Sequence, residues 1–287
     1  LVEQHQPLVV AEVELPEVLG VGQVLVKIHY SGICGSQLGE IDGVKGEDKY
    51  LPHLLGHEGS GTVVAVGPGV RHVTPDDKVV LHWRKGMGIE SDVPTYKWGD
   101  CQVNAGWVTT FNEFAVVSEN RCTPIPPDSD LQVAALLGCA VTTGFGVVEN
   151  NAQLRIGESV VVVGVGGIGL SIVQAASLVS AYPIVAVDLH ENRLELAGEM
   201  GATHLVNASE GDVRAELESI TGSDGADVAV DNTGLPEMIQ LSYRITKPTG
   251  RVVLVGVPRI GHSVELHTLP LHYGKRLSGS YGGNGNL

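Results

Sequence analysis

The sequence is poor in cysteine, in aromatic residues and in positive charge. It holds only four cysteines, Cys34, Cys101, Cys122 and Cys139, in 287 residues. They are too few and too scattered for a disulfide framework, which leaves metal ligation or inert burial in a reducing compartment. Eighteen Lys and Arg stand against 33 Asp and Glu, a net charge of −15. That balance argues against a nucleic acid or an anionic membrane surface as partner. No apolar run is long enough to span a bilayer, and the start lacks a basic segment followed by an apolar one. A cytoplasmic protein is expected. Internal repeats and low-complexity tracts are absent. The chain starts at Leu1 in strand-like sequence and stops at Asn286-Leu287 without a closing element, so both ends are expected to be trimmed.

What is present in abundance is glycine, 38 residues, and apolar residues, 43% of the total. Together they predict a globular chain of two domains with many tight turns. The organising stretch is Val160-Val161-Val162-Val163-Gly164-Val165-Gly166-Gly167-Ile168-Gly169. Four valines in a row suit a strand buried on both faces. The glycines turn the backbone sharply, and Leu170–Ala176 continues as a helix. Strand, glycine turn and helix form a cradle for pyrophosphate, since N–H groups and the helix dipole face the anion. A second strand, Ile184–Val187, ends in Asp188, about 20 residues past the glycines, where the hydroxyls of an adenosine ribose need an acceptor.

Around this unit, residues 1 to about 125 read as β-rich. Gln23–Tyr30 alternates, with Val24, Val26, Ile28 and Tyr30 on one face. Gly61–Gly69, Asp77–Leu81 and Phe114–Val117 are further short strands, which suggests a barrel-like domain. Between the last two lies an irregular lobe, residues 82–110, with Trp83, Trp98, Trp107, Arg84, Lys85, Tyr96 and Lys97. It is either a wall for a polar substrate or a self-packed loop or subunit contact. Pro124-Ile125-Pro126-Pro127 marks a boundary, after which Asp128 or Ser129 can cap a helix. Further on, strands at His204–Val206, Asp227–Val230 and Arg251–Val255 alternate with helices at Glu191–Met200 and near 235–245, which predicts a doubly wound parallel sheet.

Three glycine-rich segments carry metal-competent side chains: Gly32-Ile33-Cys34-Gly35-Ser36, Gly56-His57-Glu58-Gly59, and Gly138-Cys139-Ala140-Val141-Thr142-Thr143-Gly144. Two thiolates and an imidazole suit Zn2+, and three ligands leave one coordination position open for chemistry. Glu58 is either a fourth, exchangeable ligand or a carboxylate paired with a nearby base. Spacing alone does not assemble these residues, and each cysteine by itself also reads as a small buried hydrophobe.

Gly-Ile-Cys-Gly-Ser, Leu-Gly-His-Glu-Gly-Ser-Gly, Gly-Cys-Ala-Val-Thr-Thr-Gly-Phe-Gly and Gly-Val-Gly-Gly-Ile-Gly together resemble the zinc-dependent medium-chain alcohol dehydrogenase family, in order and separation along nearly the whole chain. A Cys2His site with an open position is the known zinc arrangement of alcohol dehydrogenases, so the resemblance carries that assignment. It implies a GroES-like, zinc-binding catalytic domain over residues 1–140, a Rossmann domain over 141–281, and the start of a return segment at 282–287. It implies a catalytic zinc on Cys34, His57 and Cys139 with Glu58 close by, and NAD-linked hydride transfer on a small-molecule alcohol or carbonyl. Ser36 would relay the hydroxyl proton, or else is a turn hydroxyl. Gly164, Gly166, Gly167, Ile168 and Gly169 would hold the pyrophosphate. Asp188 favours NAD over NADP, with Arg193 as the ribose's basic partner or a solvated charge. Thr142, Thr143 and Thr233 would line the nicotinamide, with Val255 and Val257 touching it by backbone. A homodimer or homotetramer is expected, with the strand-like Arg276–Tyr281 able to pair across an edge.

The match has gaps. The lobe offers Cys101 alone, so no structural zinc is predicted. The acid that usually follows the first ligand by three positions, and orients the imidazole, is Gln37. The relay histidine of some members corresponds to Gly39. These departures leave a dinucleotide-binding sensor as an alternative, with a zinc hydrolase behind it. The substrate hint is a polyol, sugar or amino-sugar alcohol.

Overall fold

The structure is a computed structural model of the 287-residue chain and describes residues 1–284. The chain divides into two compact units, Leu1–Cys139 and a second that begins at Ala140.

In the first unit, β1 (Gln23–Ser31) leads into a short helix α1 (Gly35–Ile41), followed by β2 (Gly59–Val66) and β3 (Lys78–Leu81). A hairpin of β4 (Thr95–Trp98) and β5 (Cys101–Asn104) comes next, then β6 (Phe114–Ser118), β7 (Cys122–Pro124) and helix α2 (Leu131–Ala135). Five strands form an antiparallel sheet in the order β6-β1-β2-β3-β7. It curls over a core of Val24, Val26, Val63, Val79, Leu81, Ala115 and Val117, the GroES-like half-barrel. Tyr30 departs from the expected inner face and is exposed. The register of β1 on β2 shifts between Ile28 and Tyr30, and such a bulge ends the strict alternation of faces.

Two local readings are corrected. The lobe is not wholly irregular, since β4 and β5 pair within it. Tyr96 is fully buried there, and its phenol oxygen accepts from Val116 N–H at 2.8 Å. The helix cap is Asp130, whose carboxylate accepts from Gln132 and Val133 N–H. Asp128 and Ser129 are taken up by the preceding turn, in which Ser129 N–H bonds Pro126 O at 3.0 Å.

The second unit starts with helix α3 (Ala140–Gly146) and then alternates: β8 (Val160–Val163), α4 (Gly167–Leu178), β9 (Ile184–Asp188), α5 (Glu191–Glu199), β10 (His204–Asn207), α6 (Val213–Thr221), β11 (Ala226–Asp231), α7 (Pro236–Arg244), β12 (Thr246–Leu254) and β13 (Arg276–Gly279). The six strands are parallel, in the order β10-β9-β8-β11-β12-β13. Numbered from β8 this is 3-2-1-4-5-6, the Rossmann order, whose reversal beside the first strand makes a binding crevice. The four valines of β8 alternate between two cores. Val160 and Val162 join Ile172 and Val173 of α4, whereas Val161 and Val163 join Leu217 of α6 and Ile245. Residues 282–284 form a turn against α3, where Asn150 donates to Gly283 O at 2.9 Å. The rest of the expected return segment, 285–287, lies outside the described residues. Among the described residues no single helix is long and apolar enough to cross a membrane.

Candidate active site

Sheet register gathers the three metal-competent segments within the first unit. Ser31, the last residue of β1, pairs with Gly59 at the start of β2. This sets Cys34, three residues after β1, beside His57 and Glu58, which directly precede β2. Gly59 also pairs with Leu81 at the end of β3. Gly138 packs on Leu81, where a Cβ would stand 2.2 Å from its carbonyl oxygen and 2.9 Å from Glu58 Cβ. Only glycine allows that approach, and the approach delivers Cys139. The loop bearing His57 and Glu58 is anchored by backbone: Glu58 O accepts from Gly32 N–H, Ser31 Oγ and Thr110 Oγ1 at 3.2, 3.1 and 2.9 Å.

Cys34, His57, Glu58 and Cys139 consequently place one donor atom each within 4.8 Å of the others. The two sulfurs are 3.9 Å apart and unbonded. Two thiolates on a tetrahedral ion at ~2.3 Å each would stand about 3.8 Å apart, so the pair fits zinc as it is. His57 Nε2 is buried with no hydrogen-bond partner, as an imidazole kept for a metal would be. The donors are two soft sulfurs and one nitrogen with a carboxylate beside them, a set that suits zinc.

The electrostatics favour a charged sulfur. The Cys34 thiol is pulled far below its ordinary value, first by the Cys139 thiol that donates to it, against burial, and then by His57 and Ser36. Cys139 is pushed up by the Cys34 sulfur and by burial. The pair thus holds one proton that a bound cation would expel. Arg84 lies almost buried nearby. Desolvation lowers its pKa, and the charge of Cys139 opposes that. Trp83 hydrogen-bonds the Cys139 sulfur and favours its thiolate.

Around this centre, Ser36 Oγ sits 3.5 Å from His57 Nδ1. The Gln37 amide lies closer, with Nε2 against Nδ1 and Oε1 accepting from Cys34 N–H at 3.1 Å. Gly39 lies in α1 and offers no side chain. Cys101 is exposed on β5, and Cys122 is buried in β7. Sequence reading left Trp83 and Arg84 in a lobe that was either a substrate wall or a self-packed loop or subunit contact, and missed their link to Cys139. The signal was available in β3, which ends at Leu81, so His82, Trp83 and Arg84 leave the sheet beside the ligand loop.

The second unit carries the glycine turn. Gly164 has a left-handed φ of +83°. A Cβ on Gly169 would lie 2.1 Å from Gly164 O, whereas one on Gly166 would meet nothing within 4 Å. The turn is therefore closed on itself at Gly169 and open at Gly166, and Gly167, Ile168 and Gly169 begin α4 with the unpaired N–H groups of a helix start. Asp188 ends β9. Its carboxylate accepts from Val165 and His190 N–H at 2.9 and 3.0 Å, with Arg193 Nη1 3.6 Å away. This arrangement fits a dinucleotide, with clear space at the anion end and an acid with a basic neighbour at the ribose end. Thr143 is buried on α3, and Thr142 lies on the same helix. The Thr233 hydroxyl donates to Asp231 at 2.6 Å, and Val255 N–H donates to Asp231 O. Val257 is exposed, and its carbonyl packs close to Gly234.

A zinc-fit donor cluster on a GroES-like sheet, in a chain that also carries a Rossmann unit, defines an oxidoreductase of the dehydrogenase class. Comparison with known proteins gives the family. Residues 20–127 match the family described as alcohol dehydrogenase GroES-like domain, and residues 167–286 match that described as zinc-binding dehydrogenase. The chain is 32% identical over 98% of its length, and 84% of the relative's, to alcohol dehydrogenase class-3 of Cereibacter sphaeroides. It is 31% identical to S-(hydroxymethyl)glutathione dehydrogenase of Synechocystis sp., covering 98% of this chain and 83% of that one. Among solved structures, it resembles benzyl alcohol dehydrogenase from Acinetobacter calcoaceticus with a TM-score of 0.84 at 29% identity, covering 96% of this chain and 80% of that one. The chain belongs to the zinc-dependent medium-chain alcohol dehydrogenase family, oxidoreductases that interconvert alcohols and carbonyl compounds.

Proposed function

We propose that the protein oxidises a small-molecule alcohol, or reduces the matching carbonyl, with NAD as hydride carrier. The catalytic part is residues 1–140 and the cofactor-binding part 141–281. The observation that carries this reading is the 4.8 Å cluster of Cys34, His57, Glu58 and Cys139. Cys34, His57 and Cys139 would hold the zinc, with Glu58 beside them as an exchangeable donor. When bound, zinc supplies a Lewis acid that acidifies an alcohol or polarises a carbonyl, and NAD accepts or gives the hydride.

The chain's residues do the rest. Ser36 takes the proton that the alcohol hydroxyl loses, and with Gly39 in the relay position it passes the proton to ribose or water. Trp83 and Arg84 would favour the thiolate of Cys139 once a bound cation has displaced its proton. The N–H groups of Gly167, Ile168 and Gly169 receive the pyrophosphate. Asp188 accepts from the ribose hydroxyls and repels a 2′-phosphate, which selects NAD over NADP.

For the substrate, the lobe's tryptophans and basic residues favour a polar alcohol, a polyol or sugar alcohol. The names of the relatives add S-(hydroxymethyl)glutathione and benzyl alcohol as candidates. A panel of these alcohols, assayed with NAD and NADP by absorbance of the reduced nicotinamide, tests the proposal. Turnover with NAD by protein that holds zinc is expected. Zinc without turnover across the panel would favour a dinucleotide-binding sensor.

A further inference from the structure

The Gln37 side chain is 2% exposed and stands between two groups with opposed demands. Its Oε1 accepts from Cys34 N–H and so closes the first turn of α1, while its Nε2 lies against His57 Nδ1. When Nε2 donates, Nδ1 is the acceptor and the ring proton resides on His57 Nε2. That is the nitrogen left for a metal, because Gln37 covers the other. In this tautomer it has no lone pair to give.

Ligation through Nε2 requires the proton on Nδ1. The amide then faces two donors, Nδ1–H and Cys34 N–H, with a single acceptor atom. Turned over, it serves the ring and points its NH2 at Cys34 N–H. Left as it is, it serves the cap and sets donor against donor at the ring. In that tautomer either orientation of the amide strands one donor, whereas with the proton on Nε2 the orientation that serves Cys34 N–H satisfies both partners. The Ser36 hydroxyl, 3.5 Å from Nδ1, is at the outer limit of a hydrogen bond.

We propose that Gln37 is a positioning residue that sets the metal affinity of the site. It holds His57 in the tautomer that excludes a metal, so loading must break one of its two hydrogen bonds. The ion is held less tightly than a carboxylate at position 37 would allow. The inference rests on His57 as a ligand, and the test separates the two.

Metal-free wild type and Gln37→Glu are titrated near neutral pH with Zn2+ against a chromophoric chelator, and with Co2+ by its visible absorption. Melts of both metal-free forms check folding. Glutamate keeps the length and supplies two acceptor oxygens. It is expected to tighten zinc about 10- to 100-fold and to leave the shape of the cobalt spectrum unchanged. Equal or weaker binding by folded Gln37→Glu overturns the inference. Failure of the wild type to bind either ion overturns the ligand assignment itself. The nitrogen chemical shifts of His57 in metal-free wild type give a readout that needs no variant. Protonated Nε2 is expected, and protonated Nδ1 overturns the proposal.

Discussion

Cys34 Sγ and Cys139 Sγ lie 3.9 Å apart, although 105 positions separate the two residues in the chain. That separation already matches two ligands of one tetrahedral ion. The first prediction is that zinc at a hundredfold excess over its Kd stabilises the protein by about 2.7 kcal/mol. A thermal melt of metal-stripped protein, with and without zinc, should show a rise of several degrees. Cys139→Ser should abolish the rise. A rise that survives the substitution would place the ion elsewhere.

Gly169 touches the turn it belongs to. Gly169→Ala should push a Cβ against Gly164 O, at 2.1 Å, and cost about 1–3 kcal/mol as the helix start shifts. Gly166→Ala, with nothing within 4 Å, should keep the wild-type melting temperature. Both should weaken NADH binding, read by fluorescence of the reduced nicotinamide, the second because its methyl faces the anion space. Unimpaired binding by both would remove the cradle assignment.

The third prediction is that Asp188 sets the cofactor preference. Asp188→Asn removes the charge and keeps one oxygen for either Val165 or His190 N–H, which use the two carboxylate oxygens separately, so a melt of the variant accompanies the assay. The ratio of kcat/KM for NAD over NADP should fall at least about tenfold, or roughly 1.4 kcal/mol. An unchanged ratio would take the ribose away from this residue.

His82 makes stability pH-dependent. It is 1% exposed, with Nδ1 bonded to Arg84 O and Nε2 to Thr123 Oγ1. Desolvation lowers its pKa to about 4, reinforced by Arg121 and Arg84 and opposed by the Arg84 carbonyl. The unfolded chain therefore binds a proton here that the folded chain refuses. Stability is full above the ordinary value near 6.5 and falls as pH drops from there to about 4, by on the order of 3 kcal/mol. Glu119 adds to the loss at the acid end. Burial raises it, but N–H groups of Arg71, Ile89 and His72 outweigh that and hold it below its ordinary value. Its contribution is present above the unfolded value and is lost as pH falls through the lowered one. Urea midpoints of wild type and His82→Gln between these pH values check the slope, which should be shallower in the variant.

The parallel sheet was legible because β8 and β9 are buried on both faces, so their apolar runs are unbroken. Helix α6 was missed in the sequence, although Val213, Leu217 and Ile220 recur at helical spacing and pack into one core, because only Leu217 of its nine residues is buried and the rest of the helix is polar or exposed. The hairpin β4–β5 escaped notice because its strands are four residues long and half their side chains or more are exposed. At the site, residue types and glycine contexts pointed to the donors, but strand pairing brings them together, and no spacing along the chain encodes Gly59 opposite both Ser31 and Leu81. Gln37 showed in the sequence only as a departure from the expected acid. That it bridges a cap and a ring follows from coordinates alone.

The three bonds received by the carbonyl of Glu58 give the donor loop a scaffold that owes nothing to any ion. A vacant apoprotein should therefore keep its contour rather than collapse. Cadmium or cobalt could be exchanged into the same nest without refolding, which makes the protein suited to spectroscopic substitution.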